Sequence, residues 1–580
     1  MDPYGGQTLV HFGVFEADLR TGELRKNGRK INVQEQPFQV LAMLLERPGE
    51  MIPREELQKR LWPEQTFVDF DTGLNKAIMK IREALDDSAE TPRFVETLPR
   101  RGYRFIAPVQ PVVPFSGRSD LIDSIAVLPF ANANADPDAE YLSDGISESL
   151  INNLSQLPNL RVLARTTTFR YKGKDAHPQK VGRDLHVRAV LSGRLVQRGN
   201  VIVVQAELVD VDKGTQLWGG QYNREMHDIL TLQEDLSKEI SEKLRLRLTG
   251  EETQRLTKRH TENPEAYQLY LKGRYYWNKA TPEGSHKAIE YFQQAIDKDP
   301  NYALAYAGLA DTYNRFAFLN VLPPREVIPK TKATARKALE IDDTLAEPHV
   351  ALAWVSYSFD WDWVAAGRHL ERALALNPAH PMGHVFNSLY LGALGRSEEA
   401  LAEARHAQEL DPVSPAVDHY IAVQLCLARQ FDQAIEQCRK TQEMDPNFPP
   451  TYYVLGQAYA ANGMHREALA EYQRYSMLSR GNPLSLSVLG YAYGLLRERT
   501  EAIRVLDELR AASKQRYVSA VSFARIYVGL GEKDQAFAWL ERAYEERSTH
   551  LAHLKTEPMW DPLRSDPRFP DLMRRIGLPL

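Results

Sequence analysis

Alanine returns every 34 residues through the second half of the chain, at Ala366, Ala400, Ala434, Ala468, Ala502 and Ala536. Pro378, Pro412 and Pro446 keep the same step, as do Gly456 and Gly490 with Ala524 in the next slot, and Tyr459, Tyr493 and Tyr527. Four columns held in phase constrain the fold more than any local motif. Small residues mark where two helix axes approach most closely, tyrosines and leucines fill the wider gaps, and proline marks the turns because it clashes inside a helix. The unit is a pair of antiparallel helices. One such pair cannot bury its apolar face alone, so the pattern demands a stack.

"TYYVLGQAYAANGMHREALAEYQRY", from Thr451 to Tyr475, displays one whole unit, with Leu455, Gly456 and Tyr459 on its first helix and Ala468 and Tyr472 on its second. It resembles the tetratricopeptide repeat. Less regular units, "YLKGRYYW" with "AIEYFQQAIDKDPN" and "AYAGLADTY" with "ATARKALEIDD", extend the array to about eight repeats over residues 263–547. Tyr452, Tyr459 and Tyr472 fall in packing columns and are expected in the core. The tail, residues 548–580, is expected to cap the last apolar face. The resemblance implies a protein or peptide partner on the concave surface built by the first helices.

A chain of 580 residues exceeds one core and suggests roughly three to five units. Cys426 and Cys438 are the two cysteines, both inside a repeat, which excludes a disulfide framework and fits a reducing compartment. The amino terminus, "MDPYGGQTLVHFGVF", lacks a basic region followed by a long apolar run, and no window approaches the roughly 18 apolar residues needed to span a bilayer. A soluble, cytoplasmic protein with no membrane contact is expected.

Acidic residues slightly outnumber basic ones, for a net charge of -5. "LPRRGYRF", residues 98–105, nevertheless gathers Arg100, Arg101 and Arg104 around a glycine that reads as a hairpin tip. The explanation has to be local. Residues 9–31 alternate β-like runs with turns at Gly13, Gly22 and Asn27-Gly28, suggesting a small antiparallel sheet. "QEQPFQVLAMLLERPGE" is an amphipathic helix, and "PREELQKRLWP" a second one starting at Pro53. A third runs from about Thr72 to Leu85, with Leu74, Ile78, Ile81 and Leu85 in one stripe and Lys76, Met79, Lys80 and Glu83 opposite, flanked by Asn75 and Arg82. "RFVETL", a turn and "YRFIAP" then read as a hairpin.

That order is the order of a winged helix-turn-helix domain. "KIREAL" and "FVETLPRRGYRF" resemble the OmpR/PhoB-type winged helix over residues 9–107. The resemblance implies double-stranded DNA as partner, with Asn75, Lys76, Met79, Lys80 and Glu83 at the base-reading face of the third helix and Arg100, Arg101 and Arg104 at phosphates, while Tyr103 is packed. It also admits a homodimer on paired half-sites. Asp69, Asp71 and Glu83 place acid near that face. No receiver domain precedes the module, so aspartyl phosphorylation in cis is not expected to control it.

Residues 108–123 hold several prolines and read as a linker where a spanning helix would stand in a CadC-like architecture. From Ser124, "SIAVLPF" reads as a buried strand, "YLSDGISESLINNLSQL" as a helix that Ser143 or Asp144 can cap, then "LRVLAR", a helix near "HPQKVGRDL", three alternating strands and a last helix. "LPF", "DGISESL" and "LW" resemble the TolB amino-terminal-like domain. "DGISES" lacks the second glycine of a serine nucleophile elbow, and His177 and His186 lack neighbours at metal spacing. No catalytic constellation, cofactor or metal site is expected.

The expected fold is therefore multidomain and mainly α: a winged helix-turn-helix domain over 1–107, the linker, an α/β domain over 124–250, an α-solenoid of tetratricopeptide repeats over 263–547, and a carboxy-terminal cap over 548–580.

Overall fold

A computed structural model describes residues 9–579 apart from 13–14, 20, 27–28, 32, 62–69, 86, 90–91, 100, 108, 113–121, 158–159, 175–176, 245–248 and 250–257. The chain is a mainly helical multidomain protein with mixed α/β structure at its amino terminus and stacked helices after it. It forms two compact units, residues 1–120 and 121–580.

In the first unit, β1 (Leu9–Phe12), β2 (Phe15–Asp18), β3 (Glu23–Lys26) and β4 (Arg29–Ile31) form an antiparallel meander. Three helices follow, α1 (Glu35–Glu46), α2 (Arg54–Leu61) and α3 (Phe70–Leu85). The second helix begins after Pro53, not at it, because Met51–Pro53 is itself a strand, β5. A second sheet has the order β5, β7 (Gly102–Phe105), β6 (Val95–Leu98). Residues 110–112, read as linker from their prolines, form β8 and pair antiparallel with β1. The two sheets meet through Phe12, Phe15, Phe94 and Phe105, whose ring centroids lie 5.0 to 5.8 Å apart in the close pairs.

The second unit opens on a mixed sheet. Its strands are β9 (Ser124–Val127), β10 (Ala131–Asn132), β11 (Arg161–Val162), β12 (Ala189–Arg198), β13 (Val201–Asp210) and β14 (Thr215–Glu225). The order is β11-β9-β12-β13-β14, with β10 beside β12. Its helices are α4 (Glu140–Leu154), α5 (Arg165–Thr168), α6 (Pro178–Asp184) and α7 (Ile229–Lys243). Neither Ser143 nor Asp144 caps α4, which starts at Glu140. The Ser143 hydroxyl donates to the Glu140 carbonyl at 3.0 Å, and Asp144 receives Lys172 at 2.5 Å. Gly145 lies against the first helix of the array, Pro264–Trp277: a Cβ there would stand 2.8 Å from the Leu271 side chain.

From Pro264 to Glu545 the described residues form eight antiparallel helix pairs. The alanine column is their closest contact: Ala366, Ala400, Ala434, Ala468, Ala502 and Ala536 are all 0% exposed. Gly456 belongs to the same logic, since a Cβ on it would lie 2.6 Å from the Tyr472 ring. Cys426 and Cys438 are free and buried. Successive first helices of the pairs touch one another while successive second helices barely do, so the stack curves toward the first helices. The curl brings the third pair to the eighth, where Trp361 stacks on Tyr544 at 5.0 Å.

The sheet domain is joined to this array at two places. Glu148 on α4 receives Arg274 at 2.6 Å and Asn278 at 2.7 Å from the first repeat, with Arg165 of α5 at 3.1 Å. Burial opposes the charge on Glu148, yet the guanidinium groups of Arg274 and Arg165 hold its carboxyl below the ordinary range. Farther along, Thr167 donates to Asp411 at 2.6 Å and Arg170 to the Val413 carbonyl at 2.6 Å, on the turn before the fifth pair.

The tail does not simply cap the last pair. Its two short 3-10 helices, Thr549–His553 and Pro558–Leu563, lie against first helices of the array, while the helix Arg568–Arg575 covers the second helix of the last pair, where Arg568 pairs with Asp534 at 2.9 Å and Arg575 with Glu541 at 2.8 Å. Leu551, Trp560, Leu563, Leu572 and Ile576 are each at most 1% exposed. The tail's own leucines and Trp560 are buried there with apolar residues of the array. No helix among the described residues is long and apolar enough to cross a membrane.

Candidate nucleic-acid interface

Helix α3 is amphipathic in the required sense. Leu74, Ala77, Ile78, Ile81 and Leu85 are buried, whereas Asn75, Lys76 and Glu83 are exposed and Met79 is 60% exposed. A methionine left that open on an otherwise polar face is out of place for a solvated helix and suits an apolar contact. Among the described residues Lys76 has neither an ion pair nor a hydrogen bond, so its ammonium is available to an incoming anion. Lys80 is half-buried and donates to the Gln34 side chain at the start of α1.

The wing is placed by its glycine. Gly102 is the first residue of β7 rather than the hairpin tip, and its Cα is pressed on β5, where a Cβ would stand 2.0 Å from the Ile52 carbonyl oxygen. The tip is the turn before it, closed by the Arg101 amide donating to the Leu98 carbonyl at 3.0 Å. Arg101 is exposed at that turn. Arg104 is not free in the same way. It lies opposite Glu96 in the β6–β7 register and donates to that carboxylate at 2.6 and 2.8 Å. Arg100, Asp69 and the side chain of Asp71 lie outside the described residues.

Helix and wing are tied together by a small set of hydrogen bonds. Asn75 accepts from Arg54 at 2.8 Å and from the Tyr103 hydroxyl at 2.9 Å, and Arg54 donates to that hydroxyl at 3.1 Å. Tyr103 is packed, at 3% exposed. Arg82 does not face outward with the flank of α3. It donates to the Val95 carbonyl at 2.7 Å and to Thr97 at 2.9 Å on β6. Asp87, just past the end of α3, accepts the amides of Arg93 at 2.7 Å and Val95 at 2.8 Å. Its place, an aspartate before Ser88 and two residues past the helix, is the one local signal for such a tether.

Residues 28–105 match the family described as "Transcriptional regulatory protein, C terminal", residues 121–241 the "HilA/YgeH-like transcriptional regulator, second domain", and residues 449–482 the "Tetratricopeptide repeat". The chain carries an OmpR/PhoB-type DNA-binding domain and tetratricopeptide repeats. In that combination it resembles regulators of the HilA and CadC kind. It is 25% identical over 399 residues to "Transcriptional regulator HilA" of Salmonella typhimurium, covering 68% of this chain and 69% of that one. It is 34% identical over 235 residues to "Putative adenylate cyclase 3" of Rhizobium meliloti, covering 40% of this chain and 39% of that one. A "Cholera toxin homolog transcriptional activator" of Vibrio parahaemolyticus is 40% identical over 111 residues, 19% of this chain and 37% of that one. The match thus spans about two fifths of the cyclase-named relative's own length.

Proposed function

We propose that this protein is a sequence-specific DNA-binding transcriptional regulator, cytoplasmic, whose repeat array takes a protein or peptide partner and whose TolB amino-terminal-like middle domain links the two tasks. Double-stranded DNA is its first partner. Asn75, Lys76, Met79, Lys80 and Glu83 face the bases of the major groove; Arg100, Arg101 and Arg104 contact phosphates along the wing; two copies occupy paired half-sites. The observation that carries this reading is the exposure, on one helix whose opposite stripe is buried, of Lys76 and Met79, together with an exposed Arg101 at the wing tip. Asn75 has its oxygen engaged by Arg54 and Tyr103, which leaves its amide hydrogens as the group it offers to DNA.

Selection of bound fragments from random duplex DNA by the full chain tests the reading. A recovered consensus is expected, with Lys76→Ala costing roughly 1 to 3 kcal/mol at the preferred site and little on unrelated duplex. A full-length protein that enriches no sequence, or whose Lys76→Ala form selects the same site equally well, overturns it.

A further inference from the structure

Glu557 is the most heavily engaged carboxylate of the tail. It is 5% exposed, and its Oε1 accepts from the Tyr453 hydroxyl at 3.0 Å, Gln457 Nε2 at 3.0 Å and Arg525 Nη2 at 3.4 Å. Its second oxygen receives the indole of Trp560, three residues on, at 2.8 Å. Tyr453 and Gln457 stand on the first helix of the sixth pair, Pro449–Ala461, and Arg525 on the first helix of the eighth, Ala520–Gly529. Three side chains from two repeats therefore converge on one carboxylate inside the array. Met559 and Trp560 beside it are 3% and 1% exposed.

Arg525 is itself 1% exposed, and its Nε and Nη1 have no hydrogen-bond partner among the described residues. A guanidinium carries five donors in a fixed fork suited to two acceptors, and here a single long hydrogen bond engages it. An inner face that evolved only to seal against residues 549–578 has no use for a buried fork with spare donors, since a buried unpaired donor is a cost. Other tail contacts reach several repeats: His550 Nε2 with Asn320 at 2.8 Å, Lys555 donating to the Leu394 carbonyl at 3.2 Å, Asp561 with Arg429 at 2.7 Å, and Trp363 donating to the Ile576 carbonyl at 2.9 Å, while Arg568 and Arg575 pair with Asp534 and Glu541 on the second helix of the last pair.

We propose that the inner face of the array is a binding site for a peptide bearing a glutamate three residues ahead of a tryptophan, and that residues 549–578 occupy it in cis. This rests on the reading of the array as partner-binding and names the chemistry of that partner. A partner of the same pattern enters by displacing the tail, and one that adds a second acceptor at Arg525 gains what Glu557 leaves unmet.

The test uses the full chain and a fluorescent peptide of residues 549–578. Wild type binds the peptide weakly, because the covalent tail competes at the high effective concentration of an intramolecular ligand. Full-length Glu557→Gln is expected to bind the wild-type peptide at least about tenfold more tightly than wild type does, and to discriminate against a peptide carrying the same Glu557→Gln change. A folded Glu557→Gln chain that takes no peptide, or that takes both peptides equally, overturns the proposal. Should that variant not fold, amide exchange on the wild-type chain decides: excess peptide must accelerate exchange in residues 549–578, and unchanged protection at saturating peptide overturns it. Duplex selection is read separately, so a chain that binds DNA and no peptide sinks this inference alone.

Discussion

Lys76 and Arg525 are both cations on amphipathic helices, and their surroundings are opposite. Lys76 stands exposed on α3 with no partner among the described residues, whereas Arg525 is 1% exposed beneath the Glu557 carboxylate. In the winged unit the core is small and the surface carries the chemistry. In the array the periodic residues are consumed by packing, and the inner face is already covered by the chain. Lys76 thus offers a contact, whereas Arg525 records one already made to Glu557 through one of its nitrogens.

The largest expected break in that contrast comes from the wing. Gly102→Val would drive a branched side chain into the β5 backbone at Ile52, atoms that cannot swing aside. We expect a loss on the order of 3 kcal/mol from the first unit and loss of DNA binding, read by thermal melting and by duplex affinity, with residues 121–580 unaffected. The array's counterpart is Ala468→Leu, at a position 0% exposed between the two helices of the sixth pair. It should cost about 2 kcal/mol, lower the melting midpoint of the second unit and leave duplex affinity alone. An unchanged melt would mean that the alanine column does not mark the helix contact.

How legible each unit was follows from the same difference. The alanine, glycine and tyrosine columns announce the helix pairs because packing repeats, and repetition is visible in one sequence. The stripe of Leu74, Ile78, Ile81 and Leu85 likewise located α3, since burial on a helix has a period. The course of the tail had no such signal: Leu551, Leu554, Trp560 and Leu563 are buried in one cluster with Ile421 of a first helix, more than 100 residues earlier in sequence, and no period encodes that. β5 and β8 were missed because three residues containing a proline read as loop, and an edge position tolerates proline. At the candidate interface, the exposed residues Lys76, Met79 and Arg101 were legible from spacing. Arg54 and Glu96 were not, because their roles depend on partners that folding brings to them from another helix and across the β6–β7 ladder.

Acid should separate the two units. Burial first, and then nearby His369 and Arg372, lowers His349 to about 4; burial alone lowers His419 to about 4; and burial, with Arg525 and His553 adding to it, lowers His550 to about 3. In the unfolded chain each titrates near 6.5. A folded value below the unfolded one contributes stability that is whole above about pH 6.5 and is lost as pH falls toward the folded value. Buried carboxyls such as Asp411 and Asp418, raised by burial, run the other way, so the net slope is smaller than the histidines alone would give. Replacing His419 by Phe isolates one contribution: between pH 6.5 and 4 the stability of the second unit should fall less steeply, by at most about 1.4 kcal/mol per pH unit. Melts at several pH values measure it, and identical slopes would mean that His419 is as free to ionise folded as unfolded.

The smallest effect is the one that most sharpens the reading of the wing. Arg101 and Arg104 sit three residues apart with the same formal charge, but Arg104 is held by Glu96 at 2.6 Å and the Arg101 side chain has no partner among the described residues. If free positive charge is what the wing contributes, Arg101→Ala should weaken binding to all duplexes alike and reduce the logarithmic salt slope by about one. Arg104→Ala should change the slope by clearly less, because reaching a phosphate would first require it to leave Glu96, and its removal also frees that carboxylate to repel the backbone. Glu96→Ala supplies the control: it releases Arg104 and should raise affinity on every sequence while steepening the salt dependence. Equal slopes for Arg101→Ala and Arg104→Ala would show that the Glu96 pair dissolves on contact with DNA, and that the wing presents both arginines to the backbone.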